Sequence, residues 1–366
     1  LIERDFAGVD AEVRSFSVAQ MAAVEEGAER QIHVVMVIEA AGTSHMYLSL
    51  NNSDSDLSWT SDMPWVQAPF NALDSATGEP LAVPDPLIIA NVFLSDTSSG
   101  EFVFVDTERN TSAAEPLLSR WYIDVTEPNA PVWKAHTLAA DIQASSYQSC
   151  LGRAGGQFVD GIYTIGQVAG VAQFSYVPLY NPFDPSAPVS VTLLSLPDGL
   201  IPDAIAAARH SNGDGFSDLY VASQGGLYFF ASSSQGDHSV GVKVASHATL
   251  LAGVSKLFAA EEEGVVTVWG LDGSDQVFYM TCPTESVLDL ASWSSPLPIL
   301  TGVDAISPYM DRKFVANTFF AHSGSGLLKY TKTPGTALWT MREIQLPPSS
   351  SMQDATEIQS FTTHVQ

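Results

Sequence analysis

Basic charge is what this sequence has least of. Fifteen Lys and Arg stand against 41 Asp and Glu, a formal net charge of −26. A surface that acidic repels phosphate backbones, and no basic run reverses the field locally, which argues against nucleic acids and anionic membranes as partners. Long apolar runs are also missing: no stretch of about 18 apolar residues could cross a bilayer as a helix. Charged residues of all kinds make up only 15% of the chain and apolar ones 45%, a composition that packs a core and does not form an acidic disordered tail. Cysteine is nearly absent. Cys150 and Cys282 are too few for a disulfide framework and have no metal-ligand spacing, leaving either one long-range bridge or two buried thiols. Lysine is scarce, with six in all and the first at Lys134. Together with Asn51-Asn52-Ser53 and Asn110-Thr111-Ser112, which match the glycan-acceptor triplet, this predicts a secreted protein. The chain opens at Leu1 without a Met and reads as one module of a longer protein.

What the sequence does have is a repeat of about fifty residues, a period diagnostic of propellers and solenoids. Gly226-Leu227-Tyr228-Phe229-Phe230 recurs as Gln276-Val277-Phe278-Tyr279-Met280 and again as Gly326-Leu327-Leu328-Lys329-Tyr330. The preceding strand recurs too, as Asp218 to Ala222, Val266 to Gly270 and Asn317 to Ala321. Each pair is joined by a Gly, Ser and Asp-rich turn, the residues that tolerate the positive φ of a tight hairpin. Looser hairpins precede them: Gln31 to Ala40 with His45 to Leu50, Leu87 to Asp96 with Glu101 to Asp106, and Gln157 to Val168 with Ala172 to Leu179. Short strands running into proline close several units, among them Val189 to Pro197, Trp293 to Leu300 and Trp339 to Pro347. Only Asp10 to Glu29 and Ile201 to Arg209 read as helical.

Six such units cannot bury their faces alone. Radial stacking buries them and ring closure removes the exposed edges. The expected fold is therefore all-β, a six-bladed β-propeller over residues 1–347, with seven blades the alternative. Ala11 to Ala19 is expected to lend the strand that closes the ring, and the segment from Asp106 to Gln157 to form a decorating loop. Pro347 to Ser351 reads as a linker, and 348–366 as that linker with the start of a further module.

The sharpest local motif is His210-Ser211-Asn212-Gly213-Asp214-Gly215-Phe216-Ser217-Asp218 ahead of the strand at Leu219. It resembles the FG-GAP repeats of integrin α-subunit propellers and of some fungal lectin propellers, in which such a loop wraps a calcium ion. The resemblance implies Asn212, Asp214 and Asp218 as ligands, Gly215 as the turn residue and calcium as cofactor, with His210 standing where the family has an acidic ligand. Oxygen donors alternating along a tight loop are what calcium requires. The competing reading is a turn whose Asp and Asn side chains cap their own backbone.

Catalytic signatures are missing. No Gly-x-Ser-x-Gly elbow and no His-Glu-x-x-His helix occurs, and of eight histidines only His33 and His322 sit in candidate inner strands. The run Glu261-Glu262-Glu263 reads as a solvated loop. Trp59, Trp65, Trp121 and Tyr122 stand in or near variable connections and are candidate ligand contacts, since aromatic faces stack on sugar rings; packing between blades is the other role open to them. The sequence thus predicts a recognition module of a larger secreted or surface protein, binding glycan or protein through loops on one face. The alternative is a secreted hydrolase or lyase with its site at the central channel.

Overall fold

The computed structural model describes the strand backbones between residues 11 and 178 and, beyond them, residues 192–209, 217–231, 241–308, 318–324, 326–333 and 338–344. Twenty-four strands form six four-stranded antiparallel sheets. Blade 1 is β1 (Ala11–Met21), β2 (Gln31–Ala40), β3 (Thr43–Leu50) and β4 (Trp65–Ala68). Blade 2 is β5 (Ile89–Ser95), β6 (Phe102–Thr107), β7 (Leu118–Asp124) and β8 (Val132–Thr137). Blade 3 is β9 (Ile142–Ala154), β10 (Gln157–Val168), β11 (Val171–Pro178) and β12 (Thr192–Leu194). Blade 4 is β13 (Ala204–Arg209), β14 (Ser217–Ser223), β15 (Gly226–Phe230) and β16 (Val242–Ser246). Blade 5 is β17 (Lys256–Glu262), β18 (Val265–Leu271), β19 (Gln276–Pro283) and β20 (Leu297–Thr301). Blade 6 is β21 (Ala305–Pro308), β22 (Thr318–Ser323), β23 (Gly326–Lys332) and β24 (Trp339–Ile344).

Every sheet is a meander in which sequence neighbours pair. First strands of successive blades lie beside one another, β1 with β5, β9 with β13 and β13 with β17. Six such meanders, with these first strands side by side, form a six-bladed β-propeller. The innermost strands explain two errors of sequence reading. The helix candidates Ile201 to Arg209 and Asp10 to Glu29 contain strands, β13 and β1; β1 is a strand as expected of Ala11 to Ala19, but it pairs with β2 as its own blade's first strand and lends nothing to another blade. In β13, Ala204, Ile205, Ala206 and Ala208 are all buried, because both faces of an inner strand meet a neighbouring blade. Alanine is favoured there by close approach, and packing overrides its helix propensity. The segment between Asp106 and Gln157 is likewise no decorating loop: it supplies β7, β8 and β9.

The best-defined core fills the gaps between the last three blades. Between blades 4 and 5, Tyr220, Phe229, Leu257, Val268, Phe278, Met280 and Trp293 form one cluster. The β14 residues alternate: Tyr220 and Ala222 belong to that cluster, whereas Leu219 and Val221 pack toward blade 3 with Tyr163 and Tyr176. Between blades 5 and 6, Trp269, Tyr279, Phe319 and Tyr330 pack together, with Phe319 and Tyr330 stacked at 5.0 Å. Trp293 and Trp339 serve packing here. Trp339 meets Tyr279 and Phe319 edge-on, and buried Trp293 donates Nε1–H to the carbonyl of Val287. Cys282 is a free buried thiol, so no bridge joins it to Cys150. Residues 348–366 lie outside the described residues.

Candidate functional site

Meander topology gives each blade two ends. One end carries the connections from second to third strand and from one blade to the next; the other carries those from first to second and from third to fourth. At the former, second and third strands are two to four residues apart in five blades, with connections at 41–42, 169–170, 224–225, 272–275 and 324–325, while those at 69–88 and 108–117 are longer. Blades 4 and 6 repeat one clamp there. The backbone N–H of Asp203 donates to Ala222 O, Gln224 N–H donates to Asp203 Oδ2 at 3.0 Å, and Ser223 Oγ–H donates to Ile201 O at 2.6 Å. In blade 6, Asp304 N–H donates to His322 O, Gly324 N–H donates to Asp304 Oδ2 at 3.0 Å, and Ser323 Oγ–H donates to Gly302 O at 2.6 Å. Blade 5 departs from the plan: Asp272 folds over its own turn and accepts from Ser274 and Gln276 N–H, as expected of that hairpin.

This repeat fixes the meaning of His322. The ring is fully buried and its Nδ1 lies 3.3 Å from Asp304 Oδ2. An imidazole beside a carboxylate resembles half of a catalytic apparatus. Yet Asp304 ties its turn as Asp203 does, where the histidine's place is taken by Ala222. His33 lies in β2 opposite Ala19 and Leu50.

The opposite end is less regular, with connections at 22–30, 51–64, 179–191, 210–216, 231–241, 284–296 and 309–317. Most of the binding residues expected from sequence map to this end. Asn212 and Asp214 fall in 210–216, between β13 and β14, and Trp59 in 51–64; all three lie outside the described residues. Trp65 is the first residue of β4, directly after 51–64. Trp121 and Tyr122 lie in the later half of β7, opposite Val103 and Phe102, the strand end that faces the same way. Asp218 near the start of β14 is 8% exposed.

A second acid at this end of blades 4 and 5 was missed by sequence reading. Glu261, expected in a solvated loop, is 8% exposed near the end of β17, and its Oε1 accepts from Gly264 N–H at 3.0 Å. The tight turn at Glu263 and Gly264, both at positive φ, folds that N–H back onto the carboxylate. Both acids lie near Tyr220. Burial foremost, and then the negative charges of Asp218 and Glu261 among others, hold its phenol well above the usual range, so it stays a neutral hydrogen-bond donor. Cys282, at the same end of β19, is pushed up to about 11 by burial and by Asp289. Carboxylates can accept from sugar hydroxyls or contribute oxygen to a hard cation, whereas the Tyr220 ring is fully buried in the core between blades 4 and 5. Among the described residues, no three His, Cys, Asp or Glu converge as a metal cage.

No protein-family model matches the chain, and no curated protein matches it. Among solved structures, a lectin of Aleuria aurantia in complex with α-methyl-L-fucoside is similar over 92% of this chain and 97% of its own, at 12% identity and a TM-score of 0.40. The WD40 domain of SCAP from fission yeast covers 87% of this chain and 74% of that one, at 9% identity and 0.46. The NanB sialidase of Streptococcus pneumoniae covers 95% and 63%, at 10% identity and 0.42. Scores this low transfer neither ligand nor activity; the propeller assignment rests on the six meanders themselves.

Proposed function

We propose that this chain is a recognition module that binds glycan through the end of the propeller carrying the 51–64 and 210–216 connections. One observation supports the reading: in the order of the meanders, the connections and strand ends that hold Trp59, Trp65, Trp121, Tyr122, Asn212, Asp214 and Asp218 belong to one end of the blades, the end at which Glu261 finishes β17. At the other end, the turns of blades 4 and 6 are clamped by Asp203 and Asp304. That division suits recognition, with variable loops displayed on a fixed scaffold. Aromatic faces and carboxylates are the groups that hold a sugar, the first by stacking on C–H faces and the second by accepting from hydroxyls.

Calcium belongs to the same proposal. Asn212, Asp214 and Asp218 offer only oxygen, the donor type a hard cation takes, and Asp218 is fixed at the base of the loop by the β13–β14 ladder through Ala208. The ion would supply positive charge for sugar hydroxyls or order the loop. The module is proposed to act outside the cell.

A glycan array probed with the purified chain, with and without calcium, tests the reading. Retention on one sugar class, competed by the free sugar, is expected. A blank array at high protein concentration overturns it. For calcium, EGTA and Asp214→Ala are each expected to lower Tm, and an unchanged Tm in both refutes the metal.

A further inference from the structure

The connection from β19 to β20, at 284–296 in blade 5, is built as a rigid shelf. It holds two short 3₁₀ turns, Thr284–Ser286 and Leu290–Ser292. Buried Val287 and Trp293 pin it from beneath, with the indole N–H donating to Val287 O at 2.9 Å. Its two feet are tied as well. Ser294 N–H donates to Thr281 O and Thr281 N–H to Ser294 Oγ, while Thr284 N–H donates to Gly264 O. Yet the shelf turns two leucines outward: Leu288 is 59% exposed and Leu290 56%. Asp289 stands between them and is held in place, because its carboxylate accepts from Ala291 N–H and from the Ser292 hydroxyl.

Packing adds a third apolar group from the neighbouring blade. The turn Leu290–Ser292 lies beside β16 of blade 4. On that strand Val242 stands opposite Phe229, which packs with Trp293 between blades 4 and 5. Val242 therefore shares the sheet face turned toward the shelf, and it too is exposed. Lys243, opposite Tyr228, belongs to the other face. The shelf's own surroundings carry charge of one sign. Between residues 257 and 310 the chain has eight acids and no Lys, Arg or His. Two of them, exposed Glu263 and Glu285, flank the hydrogen bond from Thr284 to Gly264, and neither forms an ion pair among the described residues.

We infer that Val242, Leu288 and Leu290 form a docking surface for a basic amphipathic segment of another protein, one that presents Lys or Arg beside aliphatic side chains. Charge complementarity selects this occupant. A second copy of the chain would bring 41 acids and only 15 cations to a face that is already negative. A lipid surface would have to bury the Asp289 carboxylate along with the leucines, which costs far more than their burial returns. A basic segment instead covers the leucines and meets Asp289, Glu263 and Glu285 with opposite charge. Because the shelf is already ordered, little conformational entropy is lost when it is covered. The inference goes beyond the glycan reading and does not depend on it, although the shelf lies at the same end of the propeller.

Three immobilised peptides of equal length provide the test: one with leucine and lysine at helical spacing, one with glutamate in place of lysine, and one with serine in place of leucine. The full chain is expected to be retained on the Leu/Lys peptide, about tenfold more weakly on the Ser/Lys peptide, and not on the Leu/Glu peptide. Leu288→Ser and Leu290→Ser are each expected to weaken retention roughly fivefold and Glu285→Gln roughly twofold, with Tm unchanged. Ile201→Ser, at an equally exposed aliphatic residue on the other end of blade 4, is expected to leave retention unchanged. No retention on the Leu/Lys peptide, equal retention on the Ser/Lys peptide, or equal loss in Ile201→Ser overturns the inference. Dimerisation, or binding to phosphatidylcholine vesicles, that is lost in Leu290→Ser without any peptide retention also overturns it and assigns the surface to a second copy or to lipid. The glycan reading fails separately, on its own array, since no sugar enters this surface.

Discussion

His322→Leu is expected to make this protein more stable, although it removes a buried histidine beside an aspartate. The ring is fully enclosed, and neither Nδ1 nor Nε2 makes a hydrogen bond among the described residues; Nδ1 merely approaches Asp304 Oδ2 at 3.3 Å. Burying a polar group without a hydrogen bond costs about 1–3 kcal/mol in mutational data. The equivalent positions in blades 4 and 5 are Ala222 and Leu271, both buried, so the architecture accepts an apolar side chain there. Leucine has nearly the volume of histidine and carries no polar atom. Allowing for imperfect fit, the gain is about 1 kcal/mol, a rise in Tm of roughly 1–2 °C for a chain of this length. Scanning calorimetry at pH 8 measures it. The reciprocal change Leu271→His, which buries a new imidazole in the apolar cluster of blades 5 and 6, is expected to cost about 2 kcal/mol or more. A Tm that falls by 2 °C or more in His322→Leu would refute the reasoning and show that the ring has a partner worth more than its desolvation.

Other substitutions test the scaffold. Asp203→Ala and Asp304→Ala each release a turn N–H from a carboxylate and are expected to cost about 1 kcal/mol in urea unfolding, the low end for a charged hydrogen bond because both acids are exposed. Buried Asp272 holds two turn N–H groups, so Asp272→Ala should cost about 2 kcal/mol. In Gly270→Ala the new Cβ would stand 2.5 Å from the backbone oxygen of Lys256, and a loss of about 2 kcal/mol or more is expected, read as a lower urea midpoint. At Gly302, with φ +70° and open space around it, Ala should cost only about 1 kcal/mol of backbone strain. Because burial raises the Cys282 thiol to about 11, its neutral form belongs to the folded state. That contribution is fully present below the ordinary thiol range and is lost as pH rises through about 11, so urea midpoints should fall in that window less steeply in Cys282→Ala than in the parent chain.

Period and turn chemistry were enough for the architecture. Aromatic strands fifty residues apart, joined by Gly, Ser and Asp turns, can bury their faces only against copies of themselves, and six such units close a ring. The hairpins at 226, 276 and 326 stand where the repeat puts them because their signal is local, a positive-φ turn between two buried strands. Local signal failed where position in the ring decides. The alanines of β13 look helical until two neighbouring blades press on both faces, and β7 to β9 carry too little periodicity to show that they finish one blade and begin another.

The binding residues divide in the same way. Sequence could mark Asp214, Asp218, Trp59 and Trp65 by residue type and spacing, but not that they share an end, since that depends on the alternating direction of strands in a meander. Glu261 reads as one of three solvated acids until the turn at Gly264 folds an N–H onto it and blade 4 covers it. Val242 and Leu290 belong to different blades and come together only because β16 lies beside the Leu290–Ser292 turn. Composition and period are properties of the chain itself, so the fold class could be read from the sequence; burial, register and the meeting of blades arise between segments distant in the chain, and only the tertiary structure decided them.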